Sequence, residues 1–295
     1  MYDIIIIGAG PAGMTAALYA ARAKKKILII EALVAGGQII NVNKIDNYPT
    51  EAHISGFEFA EKLYNQIKAF DNVEIKYEKA FEIIDKKSHK IVRTNKNEHQ
   101  GKTVIIATGA SRRKLGIEKE DYYLGKGLSY CATCDGAFFK NKIVAVIGKE
   151  ENSIEDTLYL ADIAKKVYFI TPEEKLDTSS LKGKENIEVI LGATVTELIG
   201  EKNLKAIHLS NDQELEVDGL FVLIGQVPAN EVFGNLIKIN SNGYIVAGED
   251  CHTNIENIFV AGDNRTKNLR QLVTATSDGA NAATEAIKAL QKETP

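Results

Sequence analysis

The chain has 295 residues, 44% of them hydrophobic and 26% charged, with a net charge of −4 at pH 7. That length suggests about two domains with sizeable cores, and the mildly acidic balance argues against a nucleic-acid binder. No apolar stretch is long enough to span a membrane, no signal-peptide pattern opens the chain, and three cysteines are too few for a secreted disulfide framework; a cytoplasmic protein is expected.

Residues 3–7 (Asp-Ile-Ile-Ile-Ile) read as a fully buried parallel strand. The run Gly8-Ala9-Gly10-Pro11-Ala12-Gly13 follows, then an alanine-rich helix to about Lys24 and a strand over 26–30 closed by Glu31. Strand, glycine turn, helix, strand and acid in this register form a dinucleotide-binding unit. Gly8 permits the tight turn, Gly10 lets the backbone approach a pyrophosphate, and Gly13 lets helix and strand pack closely. The helix N-terminus supplies N–H groups and positive dipole to the phosphates, and Glu31 can accept hydrogen bonds from a ribose. The motif alone does not separate FAD from NAD.

Residues 56–70 read as an amphipathic helix, and 73–77, 80–85, 89–94 and 103–107 as strands, the last ending at Thr108-Gly109. A second unit starts at Lys142, with a strand over 143–147, a turn over 148–153, a helix over about 153–164 and a strand over 167–171. Strands near 187–191, 194–200, 204–210 and 219–224 follow. A strand over 257–261 leads to Ala261-Gly262-Asp263, and a last helix covers about 271–291. The expected fold class is α/β, with two Rossmann-like three-layer nucleotide-binding domains, the second inserted into the first. The expected boundaries are 1–114, 115–241 and 242–295.

Cys131-Ala132-Thr133-Cys134-Asp135 lies between the two units. Two thiols at this spacing can close a small disulfide and exchange it with another. Zinc normally needs four ligands, and no second cysteine pair exists, so no metal is expected. A following Asp can relay protons to a departing thiolate. Cys251 is expected to be no more than a small side chain.

Over essentially its whole length the chain resembles the low-molecular-weight flavin thioredoxin reductases. The matching segments are Gly8–Gly13, Gly36-Gly37-Gln38, Asn47-Tyr48-Pro49, Ala107-Thr108-Gly109, Cys131–Asp135, Ala261-Gly262-Asp263 and Arg270-Gln271. The resemblance implies FAD as cofactor, thioredoxin as electron acceptor and a homodimer. It implies that Gly8, Gly10, Pro11, Ala12, Gly13, Thr108, Gly109 and Gly262 line the cofactor and that Glu31 binds the adenosine ribose. Gly36, Gly37, Gln38 and Asn47 would line the flavin side, and Asp263 would hold the ribityl chain. Arg270, Gln271 and Leu272 would open the helix aimed at the flavin. Cys134 would exchange electrons with the flavin, Cys131 would attack the partner's disulfide, and Asp135 would be the acid/base. The inserted domain would rotate on hinges near Lys114–Gly116 and Asn240–Gly243.

The second unit departs from the family. Its turn, Gly-x-Gly-x-x-Ala in the family, here reads Gly148-Lys149-Glu150-Glu151-Asn152-Ser153. Glu150 stands where the backbone should approach a pyrophosphate. Where the family grips the NADPH 2′-phosphate with His-Arg-Arg, this chain has Thr171-Pro172-Glu173, followed by Glu174. NADPH is therefore not expected to bind well, and the resemblance narrows to the ferredoxin-dependent flavin thioredoxin reductases of clostridial type. It implies electron flow from reduced ferredoxin, one electron at a time, to FAD, to Cys131–Cys134 and to thioredoxin disulfide. The alternatives are an NADPH-dependent thioredoxin reductase with a divergent site, or a related flavin disulfide oxidoreductase with another donor or acceptor. An acidic ferredoxin calls for a basic docking patch. The candidates are Lys24-Lys25-Lys26, Arg112-Arg113-Lys114, and Arg265 with Lys267 and Arg270.

Overall fold

The computed structural model describes residues 1–42, 44–51, 53–230 and 233–292, with Asn152 described by its backbone alone. The chain divides into two compact units: Met1–Ser111 with Val227–Pro295, and Arg112–Gln226. The elements of the first unit are β1 (Tyr2–Ile7), α1 (Pro11–Arg22), β2 (Ile27–Glu31), α2 (Gly56–Lys68), β3 (Val73–Tyr77), β4 (Ala80–Lys86), β5 (His89–Thr94), β6 (Glu98–Ile106) and β7 (Ala110–Arg112). The second unit carries α3 (Glu120–Tyr123), β8 (Leu128–Ser129), α4 (Ala132–Asp135), β9 (Ile143–Gly148), α5 (Glu151–Ala161), β10 (Lys166–Thr171), β11 (Ile187–Leu191), β12 (Val195–Ile199), β13 (Ala206–Leu209), β14 (Glu214–Glu216) and β15 (Gly219–Leu223). After β16 (Gln226–Pro228), the first unit resumes with β17 (Ile258–Val260) and α6 (Leu272–Lys292). No helix among the described residues is long and apolar enough to cross a membrane.

In the first unit β3, β2, β1, β6 and β17 pair in parallel, and β4 and β5 continue from β6 as an antiparallel meander. The isoleucine run of β1 has no polar alternation because both of its faces are covered. Ile4 and Ile6 pack with Ile27, Ile29 and the alanines of α1 and α6. Ile5 and Ile7 pack with Leu28, Ile30, Val92, Phe233 and Ile245. The small residues of α1 let α6 approach closely: a Cβ on Gly279 would run into the carbonyl of Ala12.

The second unit has a five-stranded parallel sheet in the order β11-β10-β9-β15-β8, and a separate antiparallel sheet β12-β13-β14. Val144, Val146, Val167, Phe169 and Phe221 pack with Leu160 and Ala161 of α5. Ala145, Ile147, Ile170, Leu220 and Val222 cover the other face with Leu198 and Ile207.

The α/β class and the two nucleotide-binding-type sheets agree with the sequence reading, but the return boundary moves. The chain re-enters the first unit at Gln226–Val227, well before 241/242. Phe233 and Ile237 are buried in that unit's core, and Asn230 donates to the carbonyls of Gly243 and Asn264 at 3.0 and 2.6 Å. Asn240–Gly243 therefore lies inside one unit rather than at a crossing. β6 also starts earlier than 103, because Glu98–Gly101 pairs with β5.

Candidate functional site

The glycine turn in the first unit follows β1, at the point where the strand order reverses between β1 and β6. This is where ligands bind in open α/β sheets. A Cβ on Gly8, whose φ is +106°, would run into the Ala107 carbonyl, and one on Gly13 would run into the Gly8 carbonyl. Both are closed packing positions. Gly10 is different: a Cβ there would meet nothing within 4 Å, and its φ of −74° suits any residue. The turn is thus shut on its inner side and open at Gly10, beside the N-terminus of α1, where an anion is favoured. Pro11 opens that helix, and a Cβ on Gly262 would come within 3.0 Å of Ala12.

Glu31 joins the turn to the loop after β2. Its Oε2 accepts the Ala9 N–H at 2.7 Å and its Oε1 accepts the Leu33 N–H at 2.9 Å. Each oxygen retains a lone pair for a further donor. The loop carrying Gly36, Gly37 and Gln38 is drawn to the same place, since the Gly36 N–H donates to the Ala9 carbonyl at 2.8 Å. A Cβ on Gly37 would stand 3.2 Å from Cα of Gly10. The Asn47 amide donates to Oε1 of Gln271 at 3.0 Å, joining residues 224 apart in sequence. Leu272 begins α6. The Arg270 guanidinium lies 4.0 Å above the Tyr244 ring and donates to the Asp263 carbonyl at 3.3 Å. Thr108 lies in a buried amide network, receiving the Asn264 Nδ2–H at 3.0 Å and facing Asn230 Oδ1 at 3.3 Å. The sequence reading had not anticipated that network. A dinucleotide's pyrophosphate fits this set, because the open glycine of the turn is the N-cap of α1.

The cluster expected at Arg265 and Lys267 is not a docking patch. Arg265 is 1% exposed, and its Nε and Nη2 donate to Asp278 at 2.9 and 2.8 Å. Lys267 Nζ donates to the same carboxylate at 2.8 Å, and so does the Gly262 N–H at 2.9 Å. The sequence did hold a signal: Asp278 falls on the apolar stripe Ala275, Gly279, Ala282, Ala286 of α6, and a carboxylate there requires partners. Cys251 is buried, and burial followed by the nearby Asp278 pushes its thiol up to about 12, which makes it a poor nucleophile. Lys24 is exposed. In the second unit Arg112 lies over the Tyr130 ring, and Lys114 pairs with Asp121 at 2.6 Å.

The redox pair belongs to the second unit. β8 runs parallel to β15, with Ser129 in register with Phe221, and delivers Cys131 at its end. Cys131 caps α4, and its Sγ accepts the Cys134 N–H at 3.1 Å. Cys131 and Cys134 form a disulfide with Cα atoms 5.3 Å apart. Cys134 is exposed and Cys131 half-buried. Asp135 accepts the Ser129 hydroxyl at 2.5 Å, and the same hydroxyl oxygen accepts the Cys131 N–H at 3.1 Å. Next to this motif the Tyr130 hydroxyl donates to Glu120 at 2.7 Å. Burial and then Glu120 push that phenol up. Glu120 is itself buried and accepts the N–H groups of Leu115 and Gly116 at 2.8 and 2.9 Å.

The second turn, after β9, also lies where the strand order reverses, between β9 and β15. Glu150 precedes α5 in extended conformation, and its carbonyl accepts the Ser153 N–H at 2.9 Å. Its Oε1 reaches to 3.6 Å from where a Cβ on Gly225 would lie, just past β15. A carboxylate therefore lies across the crevice in which this fold binds anions. At the end of β10 the Glu173 N–H donates to Thr171 Oγ1 at 3.2 Å, and Glu174 extends to Gly192.

Comparison with known proteins agrees with this architecture. The profile of the pyridine nucleotide-disulphide oxidoreductase family matches residues 2–279. A thioredoxin reductase of Bacillus subtilis (strain 168) is 40% identical over 294 residues, covering 96% of this chain and 93% of that protein. The crystal structure of thioredoxin reductase from Streptococcus pyogenes MGAS5005 matches with a TM-score of 0.93 at 38% identity over 99% of both chains. A ferredoxin-flavin thioredoxin reductase from Clostridium acetobutylicum matches with a TM-score of 0.55 at 28% identity over 99% of both chains.

Proposed function

Because this chain belongs to the pyridine nucleotide-disulphide oxidoreductases, and within them to the thioredoxin reductases, we propose that it reduces the disulfide of a thioredoxin through Cys131 and Cys134. The family binds FAD, and FAD supplies, when bound, the electron pair that opens the Cys131–Cys134 disulfide. The observation that carries the reading is that disulfide, closed at the head of α4 with Asp135 held beside it.

In this reading Gly10 and the head of α1 take the pyrophosphate. Glu31 takes the ribose, Asp263 the ribityl chain, and Asn47 with Gln271 the flavin end. Gly8, Gly13 and Gly262 let the backbone close in, while Thr108, Gly109 and Arg270 frame the turn. Once reduced, the Cys131 thiolate attacks one sulfur of the partner's disulfide, and Asp135 gives a proton to the departing thiolate. The Cys134 thiol then gives its proton to the Asp135 carboxylate as its sulfur attacks Cys131 Sγ, and Asp135 passes that proton to the partner's second sulfur as it leaves. Two electrons and two protons reach the partner, and the Cys131–Cys134 bond is restored. A homodimer is the assembly expected of the family.

For the electron donor, the comparisons favour a pyridine nucleotide. The family profile runs through the second nucleotide-binding unit, and the B. subtilis and S. pyogenes enzymes are more similar to this chain than the C. acetobutylicum enzyme is. One local observation favours a second reading, in which the donor is reduced ferredoxin: the Glu150 carboxylate at the mouth of the second crevice. A phosphate brought to ~4 Å of it would be opposed by about 4 kcal/mol at an effective dielectric of ~20, and Pro172 and Glu173 offer no guanidinium fork.

The test is an anaerobic titration of flavin absorbance with NADPH, NADH and reduced ferredoxin in separate samples, followed by oxidised thioredoxin. Rapid bleaching by NADPH with ferredoxin silent removes the ferredoxin reading, and the reverse result removes NADPH. A reduced flavin that thioredoxin does not reoxidise removes the thioredoxin reductase reading itself.

A further inference from the structure

We propose that Ser129 is a positioning residue for disulfide exchange: it holds Asp135 where its proton reaches the thiolate leaving from the partner's disulfide. The proposal rests on the acid/base role given to Asp135 above.

Ser129 is 2% exposed and sits at the end of β8, fixed by its parallel register with Phe221 of β15. Its hydroxyl has one hydrogen, and two acceptors lie in reach: Asp135 Oδ2 at 2.5 Å and the Cys131 carbonyl at 3.3 Å. The shorter, charge-assisted bond takes the hydrogen. One lone pair of the same oxygen takes the Cys131 N–H at 3.1 Å. A single buried side chain thus joins the backbone of the attacking cysteine to the carboxylate of the acid. Asp135 is the last residue of α4 and adjoins a 3-10 helix over Gly136–Phe139, so its backbone is fixed there and the place of its carboxylate is set by what it hydrogen-bonds. The sheet supplies the rigidity, through Ser129.

The chemistry gives a specific signature. When Cys131 attacks a dialkyl disulfide, the S–S bond breaks and a strongly basic alkyl thiolate leaves, so an adjacent acid speeds the step. When it attacks an aromatic disulfide, the thiolate that leaves is weakly basic and needs no proton. A defect in proton delivery slows the first reaction and spares the second, whereas a structural defect slows both.

The experiment uses FAD-loaded enzyme, reduced anaerobically with stoichiometric dithionite and mixed rapidly with bis(2-hydroxyethyl) disulfide or with 5,5′-dithiobis(2-nitrobenzoate). Reformation of the Cys131–Cys134 disulfide is followed by acid quench, thiol alkylation and mass spectrometry. Ser129→Ala should slow the dialkyl reaction about tenfold, the scale of a charge-assisted hydrogen bond, and leave the aromatic reaction within about twofold. Ser129→Thr, which keeps the hydroxyl, should recover the dialkyl rate. Asp135→Asn should slow the dialkyl reaction by about 100-fold, and adding Ser129→Ala to it should change little further. Equal slowing of both disulfides in Ser129→Ala, or additive losses in the double variant, would overturn the role given to Ser129. An Asp135→Asn variant with an unchanged dialkyl rate would overturn the acid/base reading beneath it. Neither result depends on thioredoxin being the partner.

Discussion

Asp278→Asn is the most informative single change in the first unit. The carboxylate is 2% exposed and receives four hydrogen bonds, two from Arg265, one from Lys267 and one from the backbone of Gly262. Burial pushes its carboxyl up, but the bonds from Arg265 and Lys267 outweigh that and hold it below the ordinary carboxylate range. The amide keeps the shape and removes the charge. Arg265 is then left with Glu249, a partner 83% exposed at its side chain, and the Lys267 side chain, 4% exposed, loses its counter-ion. Removing one partner of a buried charge pair costs about 3–5 kcal/mol. For a chain of this size that corresponds to a fall in Tm on the order of 10 °C. The assay is urea denaturation of the FAD-free protein, so that cofactor affinity does not enter. Because the folded carboxyl is depressed, its stabilising contribution is present above the unfolded value of about 3.9 and is lost as pH falls through the folded one. The gap between wild type and D278N should be wide at pH 7 and narrow below about pH 4. A D278N midpoint equal to wild type at pH 7, or a gap that does not narrow in acid, would refute the reasoning.

Gly10→Ala has room and an ordinary φ, so it should leave stability within about 0.5 kcal/mol while weakening FAD binding by about 100-fold, read by flavin fluorescence. Gly13→Ala meets the Gly8 carbonyl and should destabilise the FAD-free protein by about 1–3 kcal/mol, read by urea denaturation. Glu120→Ala removes the acceptor of the Leu115 and Gly116 N–H groups, and hydrogen exchange at those two amides should speed by about tenfold or more. If Glu150 blocks a pyrophosphate, Glu150→Gly should raise kcat/KM for NADPH by about tenfold or more in steady-state assays. No change on that substitution would count against the ferredoxin reading.

Strand positions were legible because fully buried parallel strands are continuous apolar runs, and the two helix-opening glycine turns punctuate them. The segments that escaped notice are short or depend on partners. β8 has two residues and exists only because β15 lies beside it. Asn230 and Asn264 fall outside every strand and helix expected from the sequence and prove to be buried donors inside the first unit. Their role was hidden because a side-chain amide has no periodicity to betray it. Arg265 and Lys267 misled for a related reason: a sequence shows where cations are but not that a carboxylate 13 and 11 residues further on will cover them. The glycine turn and the redox motif are each contiguous in sequence, whereas the Asn47–Gln271 bond joins parts of the first unit that no local pattern connects.

The glycines of the two turns separate packing from ligand. In the first unit Gly8 and Gly13 are required by the backbone around them, whereas a Cβ on Gly10 would meet no atom of the surrounding described residues within 4 Å. A glycine at an open position beside a helix N-terminus is what close approach of a pyrophosphate would require. In the second unit Gly148 is again required by packing, because a Cβ would run into the Ser153 side chain and come within 3.0 Å of Phe169. The position that corresponds to Gly10 carries Glu150. The second unit thus keeps the glycine its own core demands and lacks the one that only a dinucleotide would demand. That sheet still has a function without a nucleotide, because β15 holds β8, and β8 holds Ser129 and Cys131. The fold can persist as the mount of the dithiol whatever delivers the electrons, so overall similarity to nucleotide-dependent relatives and an acidic nucleotide crevice are compatible in one chain.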